Sequence, residues 1–212
     1  MKMIAATGIF WLVDMVFNTL NNQRLDRWLK NNPAPCAVKI CLEPDEQHLR
    51  FVHEHAVEDL TMPTIERFKW WKENPWRVPA DNFTRPIARR YYFSSISEQN
   101  ELFILECHCN ESLIGLAILS NRDGVLKTHY LYYRKEIETD FYQTVFRVVV
   151  SLRDTHTLIS FHEGFARYVS RQIFPRLHIR EADRYTAFSA TLKDKLGKNI
   201  RLQDGDGDYI FT

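Results

Sequence analysis

Three β-rich runs, Leu102 to Cys109, Leu113 to Ser120 and Val125 to Tyr133, constrain this chain more tightly than any other feature. They are separated by Asn110-Glu111 and by Asn121-Arg122-Asp123-Gly124. Breaks this short cannot carry a crossover connection, and Asn, Asp and Gly tolerate the positive φ angles of tight turns. The runs therefore read as successive antiparallel hairpins, and the other segments have to cover the faces of this meander and extend its edges.

Downstream, the pattern changes to alternating helix and strand. Glu138 to Thr155 reads as a helix with Phe141, Val145, Val148 and Leu152 inward and Thr139 or Asp140 as cap. His156 to Phe161 reads as a strand, His162 to Phe174 as a helix, and Tyr185 to Leu192 and Tyr209 to Thr212 as strands. Asp204-Gly205-Asp206-Gly207-Asp208 is a Gly-rich turn into the last of these; its acids alternate like calcium ligands, but no Glu follows at the twelfth position.

Upstream, Cys36 to Leu42 is a short strand stopped by Glu43-Pro44-Asp45, which also opens a helix to about Leu60 with Leu49, Val52, Ala56 and Leu60 on one side. Pro63 opens a second helix, with Ile65, Phe68 and Trp71 at helical spacing, ended by Asn74-Pro75. Trp76 to Pro86 reads as loop and Arg89 to Ile96 as a short strand. The expected fold class is α/β (α+β): a mixed, mostly antiparallel sheet flanked by helices on both faces, open between residues 125–133 and 156–161.

Asn31-Asn32-Pro33-Ala34-Pro35 cannot continue a helix and marks a boundary. It divides an N-terminal helical extension, 1–34, from a domain over 35–212. The extension is apolar from Met3 to Leu20 but interrupted by Asp14, which argues against a membrane span. An amphipathic helix over about Ile4 to Leu29, with Ile4, Trp11, Met15, Leu25, Trp28 and Leu29 on its apolar side, is the expectation.

Charge then limits the partners. With 28 Lys+Arg against 27 Asp+Glu the formal net charge is +1, and the bases are interleaved with acids, so no basic stripe exists to displace counterions from nucleic acid. Cys36, Cys41, Cys107 and Cys109 lack CxxC spacing and are too few for a disulfide framework, which points to reduced thiols in a cytoplasmic protein. His53-Glu54-His55 resembles a ligand cluster, but i and i+2 on a helix point apart, and no metal is expected.

The order strand, helix, helix, three-strand meander, helix, strand, helix, strand, strand resembles the GNAT superfamily of N-acyltransferases over residues 36–212. The resemblance is carried by the hairpin from Phe103 to Leu119, with its Ile114-Gly115-Leu116-Ala117 strand, and by Leu131-Tyr132-Tyr133. Trp70-Trp71-Lys72-Glu73-Asn74-Pro75-Trp76 and Asp204 to Asp208 resemble the second half of tandem GNAT-like proteins. The resemblance implies an acyl-CoA in the gap between strands four and five, here Val125 to Tyr133 and His156 to Phe161, with its pyrophosphate on backbone amides. Tyr132, Tyr133, Arg134 and Lys135 would then border the cofactor. Members that bind CoA usually have a Gly-containing loop here. Arg134 to Asp140 instead has no Gly and three acids, Glu136, Glu138 and Asp140, which meet a pyrophosphate with like charge.

Acyl transfer to an amine needs a base for the ammonium proton and an acid for the leaving thiolate. Glu106 and His108, alternating on one face of a central strand, and Tyr168, on the helix after the fifth strand, are the catalytic candidates. Trp71, Trp76, Tyr92, Tyr130, His162 and Glu163 are candidates for an acceptor groove; core packing for the aromatics and helix capping for His162 and Glu163 are the competing readings. The functional expectation is a GNAT-like acyltransferase-related domain with a degenerate pyrophosphate loop, acting as a binding or partner module. The alternative is an active N-acyltransferase using acetyl-CoA or another acyl donor. Expected partners are a small-molecule or amine substrate and a second copy or preceding GNAT-like half, without nucleic acid.

Overall fold

The computed structural model describes residues 9–56, 59–61, 63–73, 77–79, 95–97, 99–175, 178–182, 201 and 203. The expected strands at Tyr185 to Leu192 and Tyr209 to Thr212, and the Asp204 to Asp208 turn, lie outside these residues. The chain divides into two compact units, Met1–Ala34 and Pro35–Thr212. The first contains α1 (Ile9–Asn31), in which Leu25, Trp28 and Leu29 are part-buried and Val13, Met15, Val16, Phe17 and Leu20 are exposed. Ile4 and the side chain of Trp11 lie outside the description. Among the described residues, no helix is long and apolar enough to cross a membrane.

In the second unit the meander forms as expected: β4 (Asn100–Cys109), β5 (Ser112–Arg122) and β6 (Val125–Tyr133) are consecutive antiparallel strands. Both turns have two residues with positive φ, Asn110 and Glu111 at 48° and 65°, Asp123 and Gly124 at 48° and 79°. This backbone twist matches that of the flanking strands. The second turn is shorter than the sequence indicates because Asn121 and Arg122 still pair with Leu126 and Val125.

β1 (Ala37–Cys41) adds antiparallel to β4, and β7 (Thr157–Ser160) adds parallel to β6, giving the order β1-β4-β5-β6-β7. The sheet is mixed and mostly antiparallel. A separate parallel pair, β2 (Arg77–Pro79) and β3 (Ser95–Ser97), puts a short strand inside the stretch expected as loop. Three paired residues, the last of them Pro79, are too few to leave a periodic signal.

Helices cover both faces. On one, α2 (Glu46–His55) and α3 (Ile65–Glu73) bury Phe51, Val52, Phe68 and Trp71 against Ile104, Leu116, Ile118, Tyr130 and Tyr132. Each such aliphatic or aromatic side chain contributes about 1.5–3 kcal/mol by leaving water. On the other lies α4 (Glu138–Ser151), whose Phe141 sits over Gly115 and stacks on Tyr133 at 5.1 Å. α5 (Glu163–Ser170) packs on α4 through Tyr168, whose ring lies 6.0 Å from Tyr142 and 6.3 Å from Phe146.

Several ends differ from the sequence reading. α2 stops at His55 rather than Leu60, with Ala56 as its C-cap, because the Leu60 amide bonds the Arg201 carbonyl at 3.1 Å. α3 begins after Thr64, whose Oγ1 accepts from the Arg67 amide. α4 ends at Ser151, not Thr155, and neither Thr139 nor Asp140 caps it: a single 3-10 turn, Lys135–Ile137, leads in and Ile137 is the N-cap. α5 stops at Ser170, short of Phe174.

A Cβ on Gly115 would lie 2.3 Å from the Phe141 ring, so glycine is required there by packing. Gly115→Ala is expected to lower the unfolding free energy by about 1–3 kcal/mol in urea titrations, and Phe141→Leu in the same chain should recover part of the loss.

Candidate functional site

Two polar constellations sit inside this apolar frame. The first surrounds Glu106, which the alternation of β4 turns toward the α2–α3 face between Ile104 and His108. Its side chain is only 4% exposed, and four donors converge on it. Cys41 Sγ lies 2.5 Å from Oε1, His48 Nε2 3.1 Å from Oε1, Lys39 Nζ 3.3 Å from Oε1, and His108 Nε2 2.6 Å from Oε2. Burial works to raise this carboxyl, but the hydrogen bonds from Cys41, His108, His48 and Lys39 outweigh it and hold it at about 2. Burial, then the Glu106 carboxylate, pushes the Cys41 thiol up, so the thiol keeps its proton and donates it.

The neighbours of Glu106 are placed by local rules. Cross-strand register sets Lys39 opposite Glu106, and Cys41 two residues further along β1 faces the same side. Asp45 is the N-cap of α2: its Oδ1 accepts from the amides of Gln47 and His48 at 2.9 and 3.0 Å. That cap fixes the first turn, from which the His48 ring enters the core. The donor atoms of Cys41, His48 and Glu106 lie within 4.8 Å of one another, the one group of metal-ligating character among the described residues.

The second constellation lies beside β6 beyond the end of β7. Their pairing runs from Val125 with Thr157 to Thr128 with Ser160 and then stops. The stop coincides with a bulge: Ile118 pairs with Tyr130 and Leu119 with Thr128, leaving His129 as the extra residue. All four residues of β7 are paired with β6, so the opening expected between residues 125–133 and 156–161 is absent over 125–128, and beyond Thr128 β6 runs on past the end of β7. The edge so created is met by residues far along the chain. Gln203 Oε1 accepts from the Leu131 amide at 2.8 Å, and Gln203 Nε2 donates to Asp59 Oδ2 at 2.6 Å. Arg201 Nε donates to Asp59 Oδ1 at 2.5 Å and its Nη2 to the His55 carbonyl at 3.2 Å.

Beside that edge, the Tyr133 and Tyr142 hydroxyls meet at 2.5 Å and reach Glu138 Oε1 at 2.8 and 2.9 Å. Burial raises both phenols, Tyr133 to about 12. His162 packs edge-on to both rings at 6.1 and 5.8 Å and caps α5, its Nδ1 accepting from the Phe165 amide at 3.2 Å.

Of the catalytic candidates, Glu106 and His108 come together, whereas Tyr168 stands on the α4 side, across the sheet from them. Among the candidate cofactor residues, Tyr132 is buried, Tyr133 is part-buried and Arg134 and Lys135 are exposed. Trp71 and Tyr130 are core residues stacked on each other at 6.1 Å, and Glu163 is exposed and paired with Arg167. Trp76 and Tyr92 lie outside the described residues. His53 is exposed, while His55 stacks on Phe51 at 4.2 Å. All four cysteines are free thiols.

Sequence reasoning missed Cys41, His48, Asp59, Arg201 and Gln203. Only His48 had a usable signal, three residues after a capping aspartate and on the apolar side of α2. No family model, curated protein or solved structure matches the chain at a significant level.

The Asp59 side chain is fully buried, while that of Arg201 stays 35% exposed. Asp59→Asn is therefore expected to cost about 2–3 kcal/mol, less than a fully buried pair, and to speed amide exchange at Leu131 as Gln203 loses its anchor.

Burial first, and then the Arg201 charge, depresses the His162 imidazolium below its usual range, with Glu138 and Asp59 opposing. Below about pH 6.5 the unfolded chain takes up a proton that the folded chain refuses, so stability falls as the pH drops toward the depressed folded value. His162→Asn keeps an acceptor for the Phe165 amide. Urea midpoints measured across this range should lose that slope in the variant.

Proposed function

We propose that this chain is an acyltransferase-related domain of GNAT type whose acyl-donor gap is filled by its own side chains, so that it acts as a binding or partner module. The observation that carries the reading is Gln203. Its carbonyl oxygen takes the Leu131 amide on the edge of β6 beyond β7, where the resemblance places the acyl group. An incoming acyl carbonyl would have to displace a buried side chain anchored to Asp59.

Two further observations support it. The first turn of α4 carries its own carboxylates, Glu138 and Asp140, preceded by Glu136, where a pyrophosphate would meet like charge. Glu106, held ionised at about 2, is a poor proton acceptor at neutral pH because a general base works best near the working pH. The partner in this reading is a preceding GNAT-like half, a second copy, or a small amine-bearing ligand.

The alternative, an active N-acyltransferase using acetyl-CoA or another acyl donor, is favoured by the stretch of β6 beyond Thr128 that has no β7 residue as its neighbour. Calorimetry and thermal denaturation with acetyl-CoA separate the two. A ligand at 100 times its dissociation constant stabilises by about 2.7 kcal/mol, and no such shift is expected for the native chain. Gln203→Ala combined with Glu136→Gln and Asp140→Asn should bring binding into reach, more at low salt than at high salt. Micromolar binding by the native chain would favour the active enzyme.

A further inference from the structure

The Glu106 cluster enters that reading only through the weak basicity of its carboxylate, and its donor set has a chemistry of its own. We propose that Cys41 Sγ, His48 Nε2 and Glu106 Oε1 form a binding site for zinc, held between the end of β1, the first turn of α2 and the middle of β4.

Thiolate, imidazole and carboxylate together select a borderline divalent ion over calcium or magnesium, which take oxygen ligands. Charge agrees with this. A Cys41 thiolate, a Glu106 carboxylate and a neutral His48 cancel the two positive charges of zinc, so the loaded site can be buried without net charge. A cation already stands there: the Lys39 ammonium lies 3.3 Å from Oε1 on a side chain that is 64% exposed and can swing into water.

The outer contacts are those that orient ligands. Asp45 Oδ1 lies 2.8 Å from His48 Nδ1, and His108 Nε2 lies 2.6 Å from the second oxygen of Glu106. A carboxylate behind a ligating histidine fixes its tautomer, and a hydrogen-bonded carboxylate keeps its free oxygen aimed at the metal. His48 Nδ1 faces both the Asp45 amide, at 2.9 Å, and Asp45 Oδ1, and these ask for opposite tautomers. With its proton on Nε2, His48 donates to Glu106 and the site holds no ion. With its proton on Nδ1, it donates to Asp45 and turns the Nε2 lone pair toward Oε1, the arrangement in which both atoms can ligate one cation. Zinc binding requires the Cys41 thiol to lose its proton and His48 Nε2 to present its lone pair, with the ring's Nδ1 turned to Asp45. Three protein ligands leave the fourth position to water.

The test is titration of the full-length, tag-free chain, stripped with a chelator, with cobalt(II) and then zinc. One equivalent of cobalt should bind, with a thiolate-to-metal absorption band and the intense visible bands of a tetrahedral ion, and zinc should displace it. Cys41→Ser should remove the thiolate band, and His48→Asn should weaken binding more than tenfold. Because His48 is buried, two substitutions at exposed residues carry the test if that variant does not fold. Asp45→Asn, which still caps α2, should weaken binding about tenfold through loss of the orienting carboxylate, and Lys39→Met should strengthen it by removing the competing cation. Substoichiometric binding, a thiolate band that survives Cys41→Ser, or affinity indifferent to both Asp45→Asn and Lys39→Met would overturn the proposal. None of these outcomes depends on acetyl-CoA binding.

Discussion

A carboxylate that leaves water must find donors, and in this domain one buried carboxylate sets where three elements meet. Glu106 draws Lys39 and Cys41 from β1, His48 from α2 and His108 from its own strand. An unpaired ion there would cost several kcal/mol, so the position of α2 over the sheet is tied to that of β1 at the sheet margin. The apolar contacts of Phe51, Val52 and Trp71 hold the same helices down without direction. The polar cluster supplies the registration that apolar packing lacks.

The same demand for satisfied polar groups explains the far side of the sheet. The pairing of β6 with β7 ends next to the bulge at His129, and the amide of Leu131 is met by a side chain, Gln203, rather than by a neighbouring strand. Asp59 holds Gln203 and Arg201 together, so the segment after α2 and the distal part of the chain are joined through one buried acid. The two constellations lie on different parts of one sheet and solve one problem twice.

Much of the frame was legible because it is local. The meander follows from period and turn residues, the edge at Cys36 to Leu42 from two prolines and a short apolar run, and the His162 cap from the residue type at a helix start. Boundaries were missed where tertiary bonds decide them, as at Leu60, whose amide goes to Arg201 instead of continuing a helix. Glu106 and His108 were legible as a pair because strand alternation puts them on one face. Their companions were not, since Cys41, His48 and Glu106 are brought together by folding rather than by spacing. Nor does any pattern in the sequence mark a glutamine as the group that finishes a strand edge.

Lys39 has a further consequence, for association between copies. Among the described residues β1 is one of the two outer strands of the five-stranded sheet, and Val38 and Ile40, on the face opposite Lys39, are 37% and 50% exposed. An outer strand with apolar residues is a template for a strand of another molecule, and a lysine in its middle is one of the usual deterrents. The charge that leans on Glu106 therefore also sets how readily this margin recruits a neighbour. By the same argument, drawing Lys39 fully onto Glu106 or removing its charge weakens the deterrent against strand addition at this edge.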